Sequence, residues 1–182
     1  MAALAAAGPR YVGALAVVGI APPLLEGLRL GVLERLAGSA ATDFGAPGAA
    51  AAAEDAPLGA SEARRRASIV GACWAALERT AAAAPAELRK GPRGGGRDRD
   101  AIVSHVLAAE RSYAAKIGLR LPASGAGALD NAAALRAALA EALGTGVTPI
   151  ASRWSLRYAA RRIGWHALDH AWEIEDRGPA AG

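Results

Sequence analysis

Tyr158-Ala159-Ala160-Arg161-Arg162-Ile163-Gly164-Trp165-His166-Ala167-Leu168-Asp169-His170-Ala171-Trp172-Glu173-Ile174 is the stretch that decides the fold. Four residues of an α-helix advance about 400° and about 6 Å, so His166 and His170 project from one face. At about 100° per residue they share a stripe with Ala159, Ile163 and Ile174, which is apolar and points inward. Beside it run the small residues Ala160, Gly164, Ala167 and Ala171, which let a neighbouring helix approach closely. A third stripe, Tyr158, Trp165, Leu168 and Trp172, is also apolar. One helix with this many buried faces belongs to a packed all-helical domain.

The rest of the second half reads the same way. Alanine is abundant, aromatic residues are few, and no run alternates with period two. The first of four predicted helices runs from about Ser61 to Ala84, with Ile69, Val70, Cys73, Trp74 and Leu77 facing the core and Pro85 beyond its end. A second follows Gly94-Gly95-Gly96, capped by Asp98 or Asp100. It carries Ile102, Val106, Ala109, Tyr113 and Ile117 on its core face, with His105 at the border, and Gly118 ends it. An alanine-rich third helix spans about Asn131 to Leu143, stopped by Gly144. The fourth is expected to begin with Thr148 as cap and Pro149 in its first turn, and to end near Asp176. Four helices joined by short or moderate loops pack most simply as an antiparallel four-helix bundle.

Residues 1–60 differ. They hold alanine runs, the breaker Pro22-Pro23 and a Gly/Ala/Pro stretch from Gly45 to Gly59 that reads as linker. Leu28 to Leu36 has the pattern of a short helix. The apolar run Tyr11 to Leu25 is shorter than a membrane span and is broken by both prolines, so no membrane helix is expected. Arg10 precedes that run as in a signal peptide, but no clean small-x-small cleavage site follows. The chain thus divides into an unassigned N-terminal region (1–60), a helical domain (61–177) and a short flexible tail (178–182).

Composition limits the function classes. The 182 residues carry a net charge of +4, with Lys90 and Lys116 the only lysines, too diffuse a charge to imply a nucleic-acid partner. The lone Cys73 allows no internal disulfide, points to a reducing cytoplasm, and reads as a small core residue rather than a nucleophile. The basic, glycine-rich stretch Leu88 to Arg99 precedes a helix N-terminus, where anions bind, yet lacks the Gly-Lys-Ser/Thr ending of a phosphate loop. A loop at the mouth of the bundle that attracts an anionic thiol or carboxylate fits it better.

An isolated His pair at this spacing is more often a hydrogen-bonded pair beside a core. On an apolar stripe, however, two imidazoles need partners for four ring nitrogens, which a metal and neighbouring carboxylates supply. With His105 the pair makes a three-imidazole ligand set that leaves a coordination position open. Zinc, nickel, iron and manganese all accept it. Asp169, Glu173 and Glu110 are the candidate supporting or acid/base carboxylates, Glu173 first because it lies at the edge of the histidine face. The Trp165, Leu168 and Trp172 face calls for a cover from the N-terminal region or from a second subunit in a homodimer, or else lies as a partly exposed edge.

Ser104-His105-Val106-Leu107-Ala108-Ala109-Glu110-Arg111-Ser112-Tyr113, followed by His166-Ala167-Leu168-Asp169-His170, resembles the DinB-like superfamily of bacterial four-helix bundles. The resemblance covers roughly Ser61 to Arg177. It implies that His105, His166 and His170 bind a divalent metal whose remaining positions take water or substrate. It also implies chemistry with a low-molecular-weight thiol such as mycothiol, bacillithiol or glutathione, because some members are thiol-dependent transferases or isomerases. Ala171-Trp172 stands where other members carry His or Arg-Gly after the last ligand. Two function classes follow: a metal-dependent thiol transferase, isomerase or hydrolase acting on a small molecule, and a non-catalytic, stress-associated metal-binding bundle acting through protein contacts.

Overall fold

The computed structural model describes residues 2–16, 19–20, 31–43, 48–91, 94–119 and 132–179, and these are all helix, turn and loop. The helices are α1 (Ala2–Ala16), a single turn α2 (Ala40–Asp43), α3 (Ala60–Ala83), α4 (Arg99–Lys116), α5 (Ala132–Thr145) and α6 (Leu156–Arg177), with a 3-10 turn at Ala52–Asp55. None of the described helices is long and apolar enough to cross a membrane.

The core lies where α3, α4, α5 and α6 meet, with α3 touching each of the others and α4 packed on both α5 and α6. Val70, Cys73 and Leu77 of α3, Ile102 and Val106 of α4, Leu139 and Leu143 of α5, and Ile163 and Ile174 of α6 are all essentially inaccessible. The small stripe of α6 does what its residues predict. A Cβ built on Gly164 would stand 3.4 Å from Cys73 Sγ and 3.9 Å from Val70 Cγ2, so a small residue here lets α3 and α6 meet in van der Waals contact. Burial pushes the Cys73 thiol up to about 12, which makes it an inert core residue.

Several boundaries differ from the sequence reading. The last helix begins at Leu156, capped by Ser155, whose hydroxyl accepts from the Tyr158 amide at 3.2 Å. Thr148 and Pro149 instead precede a turn whose Arg153 and Trp154 amides both donate to the Lys116 carbonyl at the end of α4. That carbonyl lacks an intrahelical partner, so the segment closes on it rather than winding into helix. The Trp154 ring then seats between Tyr113, at 5.2 Å, and Tyr158, at 4.9 Å. The third helix runs through Gly144, and the left-handed residue after it is Gly146, with φ +70°. Asp98 takes the N-cap position of α4, but its carboxylate accepts from the Leu88 amide and pairs with Lys90 instead of capping.

The N-terminal region is partly built into the domain. Helix α1, which its plain alanine composition did not announce, packs on α3 and buries Ala14 and Leu15. Its Arg10 reaches the end of α6, with Nη2 2.6 Å from Glu175 and Nη1 3.3 Å from Asp176. The stretch read as linker holds the 3-10 turn, and Glu54 there pairs with Arg161 of α6 at 2.5 Å. Residues 31–36 are not helical, and Val32, Leu33 and Leu36 are exposed. So short a segment needs a buried apolar face to hold a helix, and it has none. Residues 28–30, Pro22-Pro23, Asn131 and residues 180–182 lie outside the described residues.

Candidate metal centre

His105 reaches the site from α4, and His166 and His170 come from successive turns of α6. Their ring centroids lie 5.2 Å (105 to 166), 5.0 Å (105 to 170) and 4.6 Å (166 to 170) apart. One ring nitrogen from each falls within 4.8 Å of the other two. The whole histidine supply of the chain, brought from two helices about sixty residues apart, therefore converges on one point, as the spacing predicts.

The environment disfavours the charged forms of His166 and His105. Burial, with the charges of His170, His105, Arg162 and Arg97 adding to it, pushes His166 down to about 3. Burial also lowers His105, helped by Arg97 and His170 and opposed by Glu173. Neutral imidazole is the form that binds a metal. His166 Nδ1 is buried and has no hydrogen-bond partner. A polar atom in that state normally costs stability of roughly 1–3 kcal/mol, which a bound ion, or a donor attached to one, would relieve.

Glu173 is the carboxylate that meets the site. Its Oε2 lies 2.7 Å from His170 Nδ1, and its Oε1 accepts from Arg177 Nη1 at 2.6 Å. With Nδ1 held this way, His170 is fixed as the Nδ1–H tautomer and offers Nε2, the arrangement that raises the basicity of a ligating histidine. Arg177 continues the chain outward: its Nε donates to the Arg89 carbonyl at 2.9 Å, and the Arg89 amide donates back to the Arg177 carbonyl at 3.0 Å. Gly96 completes the clasp. A Cβ there would stand 2.6 Å from Arg177 Nη2, and its φ of +123° is open to glycine alone. The glycine-rich basic loop is thus tied to a candidate ligand through Arg177 and Glu173.

The other two candidate carboxylates are placed differently. Asp169 is exposed and makes no hydrogen bond to an imidazole among the described residues. Partial burial of its carboxyl and the Glu173 charge raise its pKa, opposed by His170 and Arg162. Glu110 is buried but faces away from the histidines into an ion pair with Arg136, at 3.0 and 3.3 Å.

The sequence reading did not single out Arg162, Arg97 or Arg177 as parts of the site. The signal for two of them was present: Arg162 lies four residues before His166, and Arg177 four after Glu173, so each shares its neighbour's face. Tyr113, read as a core residue, also borders the site, its ring 5.8 Å from that of His166. The tryptophan face is covered mainly by arginines. Arg10 stacks 4.9 Å over Trp172 and Arg162 4.7 Å over Trp165, while Leu168 is buried. Comparison of the chain with protein-family models, with curated proteins and with solved structures finds no match.

Proposed function

We propose that this chain is a divalent-metal-binding protein of the DinB-like type, an antiparallel four-helix bundle formed by α3, α4, α5 and α6, bacterial and cytoplasmic. The observation that carries the reading is the convergence of three imidazoles, with one ligand nitrogen from each inside 4.8 Å, around a buried His166 Nδ1 that lacks a partner. Nitrogens around one tetrahedral ion sit roughly 3.4 Å apart, a closing of the rings that small side-chain rotations supply. Zinc, nickel, iron and manganese all suit three neutral imidazoles.

His105, His166 and His170 hold the ion in this reading, Glu173 orients His170, and Arg177 orients Glu173. A divalent ion with an open position lowers the pKa of a bound thiol or water and polarises a carbonyl. That supports a metal-dependent enzyme for thiol-linked transfer or isomerisation, or for hydrolysis, of a small molecule. Asp169, exposed beside His170, is the carboxylate left free to exchange a proton with solvent.

A second reading, a non-catalytic metal-binding bundle acting on a protein partner or as a homodimer, draws on Trp165 and Trp172, which stay half-buried under arginine side chains rather than sealed in the core. It also draws on the position of a 270 Å³ cavity lined by Pro57, Leu58, Thr148, Leu156 and Arg157. That cavity lies about 15 Å along α6 from His166.

Elemental analysis after dialysis against a dilute mixture of divalent metals tests the metal reading. The expected outcome is about one ion per chain, reduced to background in His170→Ala with helicity retained by circular dichroism. Metal content that is unchanged in that variant, or absent in the parent, overturns it.

A further inference from the structure

We infer that Arg162 forms a carboxylate-binding subsite beside the metal position, so that the small molecule taken there carries a carboxylate as well as a metal-binding head. The inference rests on the metal reading and names the substrate class for that same site. Arg162 lies one helical turn before His166. Its guanidinium sits 4.7 Å over the Trp165 ring and 5.7 Å from the Tyr113 ring. Each of those rings is in turn 5.8 Å from the His166 ring. The cation and the candidate ligand thus share two aromatic walls, one from α6 and one from α4.

What sets Arg162 apart is what it lacks. Arg157 is paired with Glu62, Arg161 with Glu54, Arg136 with Glu110 and Glu78, Arg10 with Glu175 and Asp176, and Arg177 with Glu173. Arg162 has no carboxylate in salt-bridge contact among the described residues; it hydrogen-bonds Tyr113, and its Nη1 is buried without a hydrogen-bond partner. Asp169, the acid whose charge reaches it, is two turns away on the surface. A guanidinium that rests on two aromatic rings and bonds one of them is held in place, and its remaining N–H groups match a carboxylate.

The local field points the same way. A divalent ion adds two positive charges, while Glu173, the one carboxylate bonded to the triad, is already shared with Arg177. The site is therefore short of negative charge, and a small anion drawn into it supplies what the chain does not.

The test uses the full chain loaded with cobalt(II) and two probes that present the same thiol, 3-mercaptopropionate and its neutral amide, 3-mercaptopropanamide. Binding is followed by the thiolate-to-cobalt absorption. A charge-assisted hydrogen bond corresponds to a preference of roughly tenfold or more, so the acid is expected to bind the parent protein at least about tenfold more tightly than the amide. Arg162→Gln should bring that ratio to about one, with one cobalt retained and the amide's affinity little changed. Arg162→Lys should restore part of it. Equal affinities for acid and amide in the parent overturn the inference without any variant, and so does a preference that survives Arg162→Gln. If the parent protein takes up no cobalt, the metal reading falls as well, whereas cobalt uptake without acid preference removes the carboxylate subsite alone.

Discussion

Helix α4 passes through two buried polar clusters five residues apart, and they are built on opposite principles. At Glu110 the buried carboxylate meets a counter-charge from the chain. Arg136 of α5 binds both carboxylate oxygens, sends Nη1 to Glu78 of α3 at 2.6 Å, and lies 5.5 Å from the Trp74 ring. At His105 the cluster is left incomplete: three imidazoles face one another, none supplies a counter-charge, and a ring nitrogen stays unbonded. The first cluster is satisfied by the chain itself and joins α3, α4 and α5. In the proposed reading an ion from outside completes the second. A counter-charge supplied by the chain itself, more than burial or residue type, separates the two clusters.

Removing a member from each cluster tests that contrast. Arg136→Ala leaves Glu110, which is 1% exposed, without its partner. Breaking a buried pair on one side costs about 3–5 kcal/mol, the largest single-site effect expected here. Chemical denaturation of the metal-free protein measures it. The double variant Arg136→Met with Glu110→Leu should recover much of the loss, because apolar replacement of a buried pair leaves no stranded charge. Metal stoichiometry should stay at its parent value in any of these variants that folds. A loss below about 1 kcal/mol in Arg136→Ala would show that water reaches Glu110 and that the two clusters are less different than their geometry.

That contrast also marks how far the sequence could be read. The triad was legible because His166 and His170 repeat at helical spacing on an apolar stripe, and because only one other histidine exists to join them. Glu173 was legible from the edge of the same face. Glu110 and Arg136 were not, since their pairing spans 26 residues and crosses between helices. A charged residue at a helical core position looks the same in sequence whether it is solvated or paired. The start of α6 was misplaced because Thr148-Pro149 carries a good local start signal, whereas the Lys116 carbonyl that takes the Arg153 and Trp154 amides lies far back in the chain, at the end of α4. Helix α1 went unread because alanine repeats give no amphipathic pattern, and its docking depends on a few contacts such as Arg10 with Glu175.

The next effect separates the carboxylates beside the triad. Glu173→Gln keeps an oxygen for His170 Nδ1 but removes the charge and the ion pair to Arg177. Loss of such a supporting carboxylate weakens metal binding about 10–100-fold. Asp169→Asn, at an exposed position without a hydrogen bond to an imidazole, should change affinity by no more than about threefold. Competition with a chromogenic chelator reads both constants. If Asp169→Asn weakens the site as much as Glu173→Gln, then Glu173 does not act through its bond to His170, and general loss of negative charge explains both.

The smallest expected effect concerns the incomplete cluster without its ion. In the unfolded chain His166 takes up a proton near its ordinary value of about 6.5, whereas burial holds it at about 3 in the native protein. Between those values the unfolded state binds more protons, so stability falls as the pH falls, and His105 adds in the same direction. From pH 7 to 5.5 the metal-free protein should lose on the order of 1 kcal/mol per pH unit below the unfolded value. The carboxylates held low by arginines or lysines, Glu54 and Asp98 among them, enter only at lower pH. With zinc bound the stability should be higher at each pH and the slope no shallower, because His166, already neutral in the folded chain over this range, releases no proton when the ion binds. Urea titrations at pH 7, 6.25 and 5.5, with and without zinc, measure both slopes, and His166→Gln should flatten the metal-free one. A metal-free midpoint that does not move over this range would mean that His166 accepts a proton in the folded state, which removes the electrostatic basis for a neutral ligand at that position.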